Sequence, residues 1–127
     1  MEDSIFYIEK YEDKIEEMKY YFLLIGDSKF LPAIRNFRES KGYGIANVCC
    51  SFATEFSKGE DDYFGKEGVN FSSFSAASDD ETYAVVDNET FYRFLKETSL
   101  NYLTRHPEHE NEVRNCIEKI KKNLSIT

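Results

Sequence analysis

The sequence predicts an α+β fold: a small, mainly antiparallel sheet of about three or more strands packed with about four helices. Two observations predict it. Apolar residues recur at three- and four-residue spacing over residues 12–41 and again from residue 89 onward, the period of an amphipathic helix. Between these blocks, residues 45–86 divide into short apolar runs joined by polar links. Strands grouped in the middle with helices at both ends argue for segregated layers rather than alternating βαβ units. The 127 residues fit one domain. A hydrophobic content of 41%, with 11 Phe and 9 Tyr, supplies a core.

The first helix is predicted over 12–25, where Ile15, Met18, Tyr21, Phe22 and Ile25 share a face. Glu12, Asp13, Glu16 and Glu17 crowd its first half, where the helix dipole favours anions. Gly26-Asp27 ends it. Ser28 caps a second helix over 29–41, with Phe30, Leu31, Ile34 and Phe37 as its stripe and Pro32 in its first turn. Gly42-Tyr43-Gly44 breaks that helix. Strands are expected at Ile45–Phe52, Gly68–Ser75 and Glu81–Val86, with an acidic loop over 53–67. The short links favour a meander. Asp87 or Asn88 caps a third helix over 89–105, carrying Phe91, Phe94, Leu95, Tyr102 and Leu103. His106-Pro107 interrupts it, and Pro107 opens a fourth helix with Val113, Ile117, Ile120 and Leu124 inward.

Charge is the most informative part of the composition. The net charge is −8. Residues 53–89 hold ten acids against two bases and so account for all of it, the remainder carrying fourteen of each sign. This disfavours direct nucleic-acid binding, which needs a basic patch. The longest apolar stretch, Tyr20–Ile25, is far short of the roughly 20 residues that cross a bilayer. The acidic opening Met1-Glu2-Asp3 is unlike a secretory signal, so a cytoplasmic location is expected. Cys49, Cys50 and Cys116 form no disulfide framework and read as small buried thiols.

No constellation reads as catalytic, metal-binding or cofactor-binding, and no small-molecule substrate is implied. His106 and His109 lie three apart, but metal sites normally need three or four ligands, and Glu110 and Glu112 complete no known pattern. The pair reads as a helix cap and a solvated side chain. Ser72, Ser73 and Ser75 lack any sequence link to a base, which leaves a small hydrolase using either histidine as a minor reading. The acidic segment invites an interaction reading instead. It lies on loops flanking strands, with aromatics interleaved: Phe56 follows Glu55, and Tyr63-Phe64 follow Glu60-Asp61-Asp62. Aromatic anchors inside a charged rim are what tight interfaces use. The expected contact residues are Glu55, Phe56, Glu60, Asp61, Asp62, Tyr63, Phe64, Glu67, Asp79, Asp80 and Glu81, and the expected partner is a basic protein surface.

Several segments also carry a family resemblance. These are Lys29-Phe30-Leu31-Pro32-Ala33-Ile34-Arg35-Asn36-Phe37, then Gly42-Tyr43-Gly44, Cys50-Ser51-Phe52 and Gly68-Val69-Asn70-Phe71. Val85-Val86-Asp87, Phe91-Tyr92-Arg93-Phe94-Leu95-Lys96, Tyr102-Leu103 and His106-Pro107-Glu108 continue the pattern. Over about residues 28–124 the chain resembles CdiI-type immunity proteins of contact-dependent growth inhibition, in the group that neutralises ribonuclease toxins. The resemblance implies a single immunity-protein-like domain over 1–127. It also implies a cytoplasmic, non-enzymatic protein that binds the C-terminal ribonuclease domain of a cognate toxin one-to-one and blocks its RNA cleft. It supplies no contact residues. The other reading of the charge is a general acidic adaptor or nucleic-acid mimic that regulates several basic proteins.

Overall fold

The computed structural model describes residues 4–77 and 80–126. Its elements run β1 (Ser4–Tyr7), α1 (Tyr11–Arg38), β2 (Tyr43–Ile45), β3 (Val48–Phe52), β4 (Val69–Ser75), β5 (Asp80–Val86), α2 (Asn88–Arg105) and α3 (Glu110–Asn123). Single 3-10 turns occupy Ala53–Glu55 and Pro107–His109.

Two parts of the expected fold are corrected. The sheet has five strands in the order β1-β5-β4-β3-β2 and is mixed, because β1 pairs parallel with β5 in the register Ser4↔Asp80 to Tyr7↔Tyr83. The partner of β1 lies more than seventy residues away along the chain. No local turn signal can announce such a pairing, whereas the meander expected of the central strands is present as β3-β4-β5. The anticipated strand over 45–52 is in fact most of a hairpin. Ala46, at φ 46°, and Asn47 form the turn between β2 and β3.

The second correction is that there are three α-helices among the described residues, not four. Residues 12–25 and 29–41 were expected as separate helices; they form the one element α1, whose two helical stretches meet at a kink at Gly26. Gly26 takes φ 56° and ψ −167°, a left-handed φ that glycine tolerates without a Cβ penalty. The helical path is interrupted at this residue and resumes after it, so Gly26 ends the first stretch and kinks the element.

The helices cover one face of the sheet. Val48, Cys50 and Phe52 of β3 point into them and are buried, while Cys49 and Ser51 between them are half-buried on the other face. Phe91 of α2 lies at the centre of the packed layer. Its ring centroid is 5.8 Å from Phe37 of α1, 5.5 Å from Phe52 of β3 and 5.9 Å from Phe71 of β4. Phe71 also meets Tyr21 at 5.3 Å, and the Tyr21 hydroxyl donates to the Tyr43 carbonyl at 2.7 Å. Gly42 sits so close to β3 that a Cβ there would lie 2.1 Å from the Cys50 carbonyl oxygen, so the helix-breaking glycine is also a steric requirement. Arg35 of α1 clasps Glu112 of α3, with Nε–Oε2 at 2.7 Å and Nη2–Oε1 at 2.9 Å. Cys49, Cys50 and Cys116 are all free.

Two stability measurements test this packing. Phe91→Ala removes the ring shared by three elements and should cost about 3–5 kcal/mol in denaturant unfolding. A loss below about 1 kcal/mol would mean that the layer collapses around the gap. Arg35 holds the Glu112 carboxyl below the usual carboxylate range. A depressed carboxylate stabilises the fold above its unfolded pKa of about 4.3, and that contribution fades as the pH falls through the folded value. Glu112→Gln should therefore lower Tm by about 1–3 °C near neutrality, because the pair is largely exposed. The difference should shrink as the pH drops below about 4. A difference that stays constant across that range would assign the effect to something other than the carboxylate charge.

Candidate functional site

The sheet face away from the helices carries the site. Strand register sets its side chains in rows. Phe74 of β4, Glu81 of β5 and Ile5 of β1 form one row. Cys49, Ser72, Tyr83 and Tyr7 form the next, and Ser51, Asn70 and Val85 the third. Ile5, Tyr7 and Phe74 are exposed at 43%, 58% and 38%, so apolar surface flanks the Glu81 carboxylate on both sides.

The acidic loop folds over part of this face. Its ends are tied together where the Ala53 amide donates to the Gly68 carbonyl at 3.1 Å, and the Gly68 amide donates to Asn88 Oδ1 at 3.1 Å. Close ends and internal packing make it an Ω-type loop. Phe56 and Phe64 meet edge to face at 6.2 Å. Glu55 accepts from the Phe52 amide and Glu60 from the Ser57 amide, each at 2.7 Å. The Tyr83 hydroxyl reaches Asp62 Oδ1 at 3.5 Å. Burial pushes the Tyr83 phenol well above its ordinary value, which keeps it a donor. Loop and sheet together enclose an open groove of about 480 Å³, whose walls include Phe56, Asp62, Ser72, Phe74, Glu81 and Tyr83.

The expected contact residues therefore separate. Phe56, Asp62 and Glu81 line the groove. Asp61 is exposed beside Asp62, and Tyr63 and Phe64 are half-buried in the same loop. Glu55 and Glu60 are exposed but also bind backbone amides of the loop. Asp80 lines a neighbouring depression with Phe6, Tyr20 and Phe74. Glu67 faces a different hollow, near Lys14, Asn88 and Leu124. Asp79 lies outside the described residues. Sequence reasoning missed Tyr83, Phe74, Ile5 and Tyr7. The alternation within β4 and β5 could have flagged Phe74 and Tyr83, but Ile5 and Tyr7 depend on the parallel pairing of β1.

The loop and β5 concentrate acidic side chains. Some helix acids have cations, as Glu112 has Arg35, Asp27 has Arg105 and Glu110 has Arg114, while Glu12, Asp13, Glu17, Glu89, Glu97 and Glu118 have none within 4.0 Å among the described residues. Among the described residues, Glu55, Glu60, Asp61, Asp62, Glu67, Asp80 and Glu81 have no cation within 4.0 Å. Their negative field is therefore not neutralised within the chain.

Nothing about this face suggests covalent chemistry. Burial pushes the Cys49 thiol above its ordinary value, away from the reactive thiolate. Ser73 donates to Glu17 at 3.4 Å, and no hydrogen bond joins Ser72, Ser73 or Ser75 to a histidine among the described residues. The histidines lie instead between α2 and α3. Pro107 opens a 3-10 turn there and not α3 itself. His109, expected to be solvated, is half-buried and shares a 2.8 Å hydrogen bond with the Tyr102 hydroxyl. Among the described residues, no helix is long and apolar enough to cross a membrane.

No curated protein matches the chain. Residues 12–117 match the family described as CDI immunity protein. That span takes in α1, the hairpin and central strands, the acidic loop, α2 and most of α3. The chain belongs to the CDI immunity protein family.

Proposed function

We propose that this protein neutralises the C-terminal ribonuclease domain of a cognate contact-dependent growth inhibition toxin. It does so in the cytoplasm, one-to-one and as a single domain, by covering the toxin's RNA cleft with the acidic loop and the open sheet face. The observation that carries this reading is the segregation of charge. Residues 53–89 hold ten acids against two bases, and the acids of the loop and of β5 have no cation within ion-pair distance among the described residues. A cleft built for phosphates offers the missing cations. Phe74, Tyr83 and Phe56 beside these acids supply apolar anchors of the kind that dominate binding energy. The protein acts by occupancy and needs no catalytic group.

The test uses the toxin domain encoded beside this protein's gene, co-expressed and purified with it. The complex should bury roughly 1,600 Å² in total and silence RNA cleavage. Its association rate should fall steeply with added salt, as expected for steering between opposite charges. The pair Asp62→Lys and Glu81→Lys should weaken binding by at least about tenfold, since like charges then face the cleft. Tyr63→Ala should weaken it less. Unchanged affinity after reversal of Asp61, Asp62 and Glu81 together would place the interface elsewhere. Comparable binding to several unrelated basic proteins would favour the general adaptor.

A further inference from the structure

A second constellation sits where α2 hands over to α3. The Tyr102 ring stacks on His106 at 4.6 Å and lies 5.9 Å from His109, with the planes within 28° and 13° of parallel. Phe30 of α1 backs the other side of Tyr102 at 4.4 Å. Glu108 lies between the two imidazoles, its Oε2 3.6 Å from His106 Nδ1 and 3.9 Å from His109 Nε2. One ligand atom from each of His106, Glu108 and His109 lies within 4.8 Å of the other two.

Each ring is held by its remote nitrogen. His106 Nε2 lies 3.0 Å from Asp27 Oδ2. Asp27 is clamped by Arg105, with Nε–Oδ2 at 2.8 Å and Nη2–Oδ1 at 2.9 Å. An arginine-paired carboxylate only accepts, so His106 must donate through Nε2. That leaves Nδ1 to face the Glu108 carboxylate. His109 Nδ1 meets the Tyr102 hydroxyl at 2.8 Å, which leaves Nε2 to face Glu108. Outer partners on the far nitrogen, a carboxylate for one ring and a hydroxyl for the other, are how proteins orient metal-binding histidines.

We propose that His106, Glu108 and His109 form a binding site for a divalent transition-metal ion of the zinc type. Two imidazoles and a carboxylate suit zinc, with the fourth position left for water or a partner's side chain. Zinc bond lengths put tetrahedral ligands about 3.3 Å apart. The Glu108 Oε2 separations of 3.6 and 3.9 Å are wider, and closing the set to that geometry takes adjustment of the imidazoles as well as of Glu108, whose side chain is 62% exposed. Asp27 and Tyr102 are positioning residues that hold the two rings. An ion here would join α2 to α3 and, through Asp27, to the bend in α1.

The site is tested on the tag-free full-length chain, stripped with chelator and titrated with Zn²⁺ by calorimetry and with Co²⁺ by visible absorption. The expected result is one equivalent bound with micromolar affinity and a Co²⁺ spectrum typical of nitrogen and oxygen ligands. Zinc should also raise Tm by several degrees at saturation. His106→Gln with His109→Gln should abolish binding. Glu108→Gln, at an exposed position, should weaken binding without disturbing the fold. Asp27→Asn and Tyr102→Phe should keep the stoichiometry but weaken affinity about tenfold to hundredfold. Absence of uptake would mean that a proton satisfies the cluster, and the proposal would fail. Uptake that persists unchanged in the histidine and Glu108 variants, or a thiolate-type Co²⁺ spectrum, would equally overturn it.

Discussion

The fold depends on a shared aromatic contact. Phe91 reaches α1, β3 and β4 at once through Phe37, Phe52 and Phe71. A helix at each end of the chain can bury its apolar stripe only against a surface that the middle of the chain supplies. The sheet supplies it on one face, where β3 alternates buried and half-buried residues. That economy leaves the other face without a helix. The acidic loop covers only part of it, so Phe74, Ile5 and Tyr7 remain at the surface. An antiparallel sheet commonly leaves one face to solvent. Here that face sets the Glu81 carboxylate between Phe74 and Ile5, beside the acidic loop, a composition suited to a protein partner.

The acidic loop illustrates how stability and recognition are kept apart. Its order comes from backbone contacts: the tie between Ala53 and Gly68, the Asn88 side chain, and the carboxylates of Glu55 and Glu60 on nearby amides. None of these needs a lysine or arginine. The loop can therefore hold its shape while its charge stays unneutralised. Self-repulsion among exposed carboxylates is modest at physiological salt, where charges more than about 8 Å apart are screened. The same carboxylates gain most when a basic surface brings its cations close and excludes water. A loop stabilised by internal ion pairs would have given up that difference between the free and bound states.

Much of this was legible in the residues, and the failures have a common cause. The helical stripes of Met18, Tyr21, Phe22 and Ile25, of Phe91 and Leu95, and of Val113 and Ile117 all lie in the buried core. Asp87 caps α2 as expected, accepting from the Thr90 amide at 2.7 Å. Period and capping are local signals, and a single sequence carries them well. Pairing between distant segments is not local. Residues 4–7 gave no sign that they would join β5, and Ile5 and Tyr7 were missed with them. The charge of the candidate surface was readable from composition. Its geometry was not, because which acids share a groove is decided by strand register and loop closure. Glu67 and Asp62 are five residues apart yet face different hollows.

Gly26-Asp27 shows the same limit from the other side. The pair was expected to end a helix, and by local rules a glycine followed by an aspartate does so. What the local rule lacks is the tertiary partner. With α1 bent at Gly26, Asp27 is delivered to the C-terminal end of α2, where Arg105 takes both of its oxygens and His106 shares one. Arg105 is itself held by Asn101. Cations at a helix C-terminus are favoured by its dipole, and Asp27 closes that local charge. Removing the bend would carry Asp27 out of reach and leave Arg105 and His106 without their acceptor. The glycine thus acts as a joint that carries a carboxylate from the first helix to the handover between the last two. That handover is where both histidines of the chain meet, and the orientation of His106 there depends on a carboxylate that the kink at Gly26 brings to it.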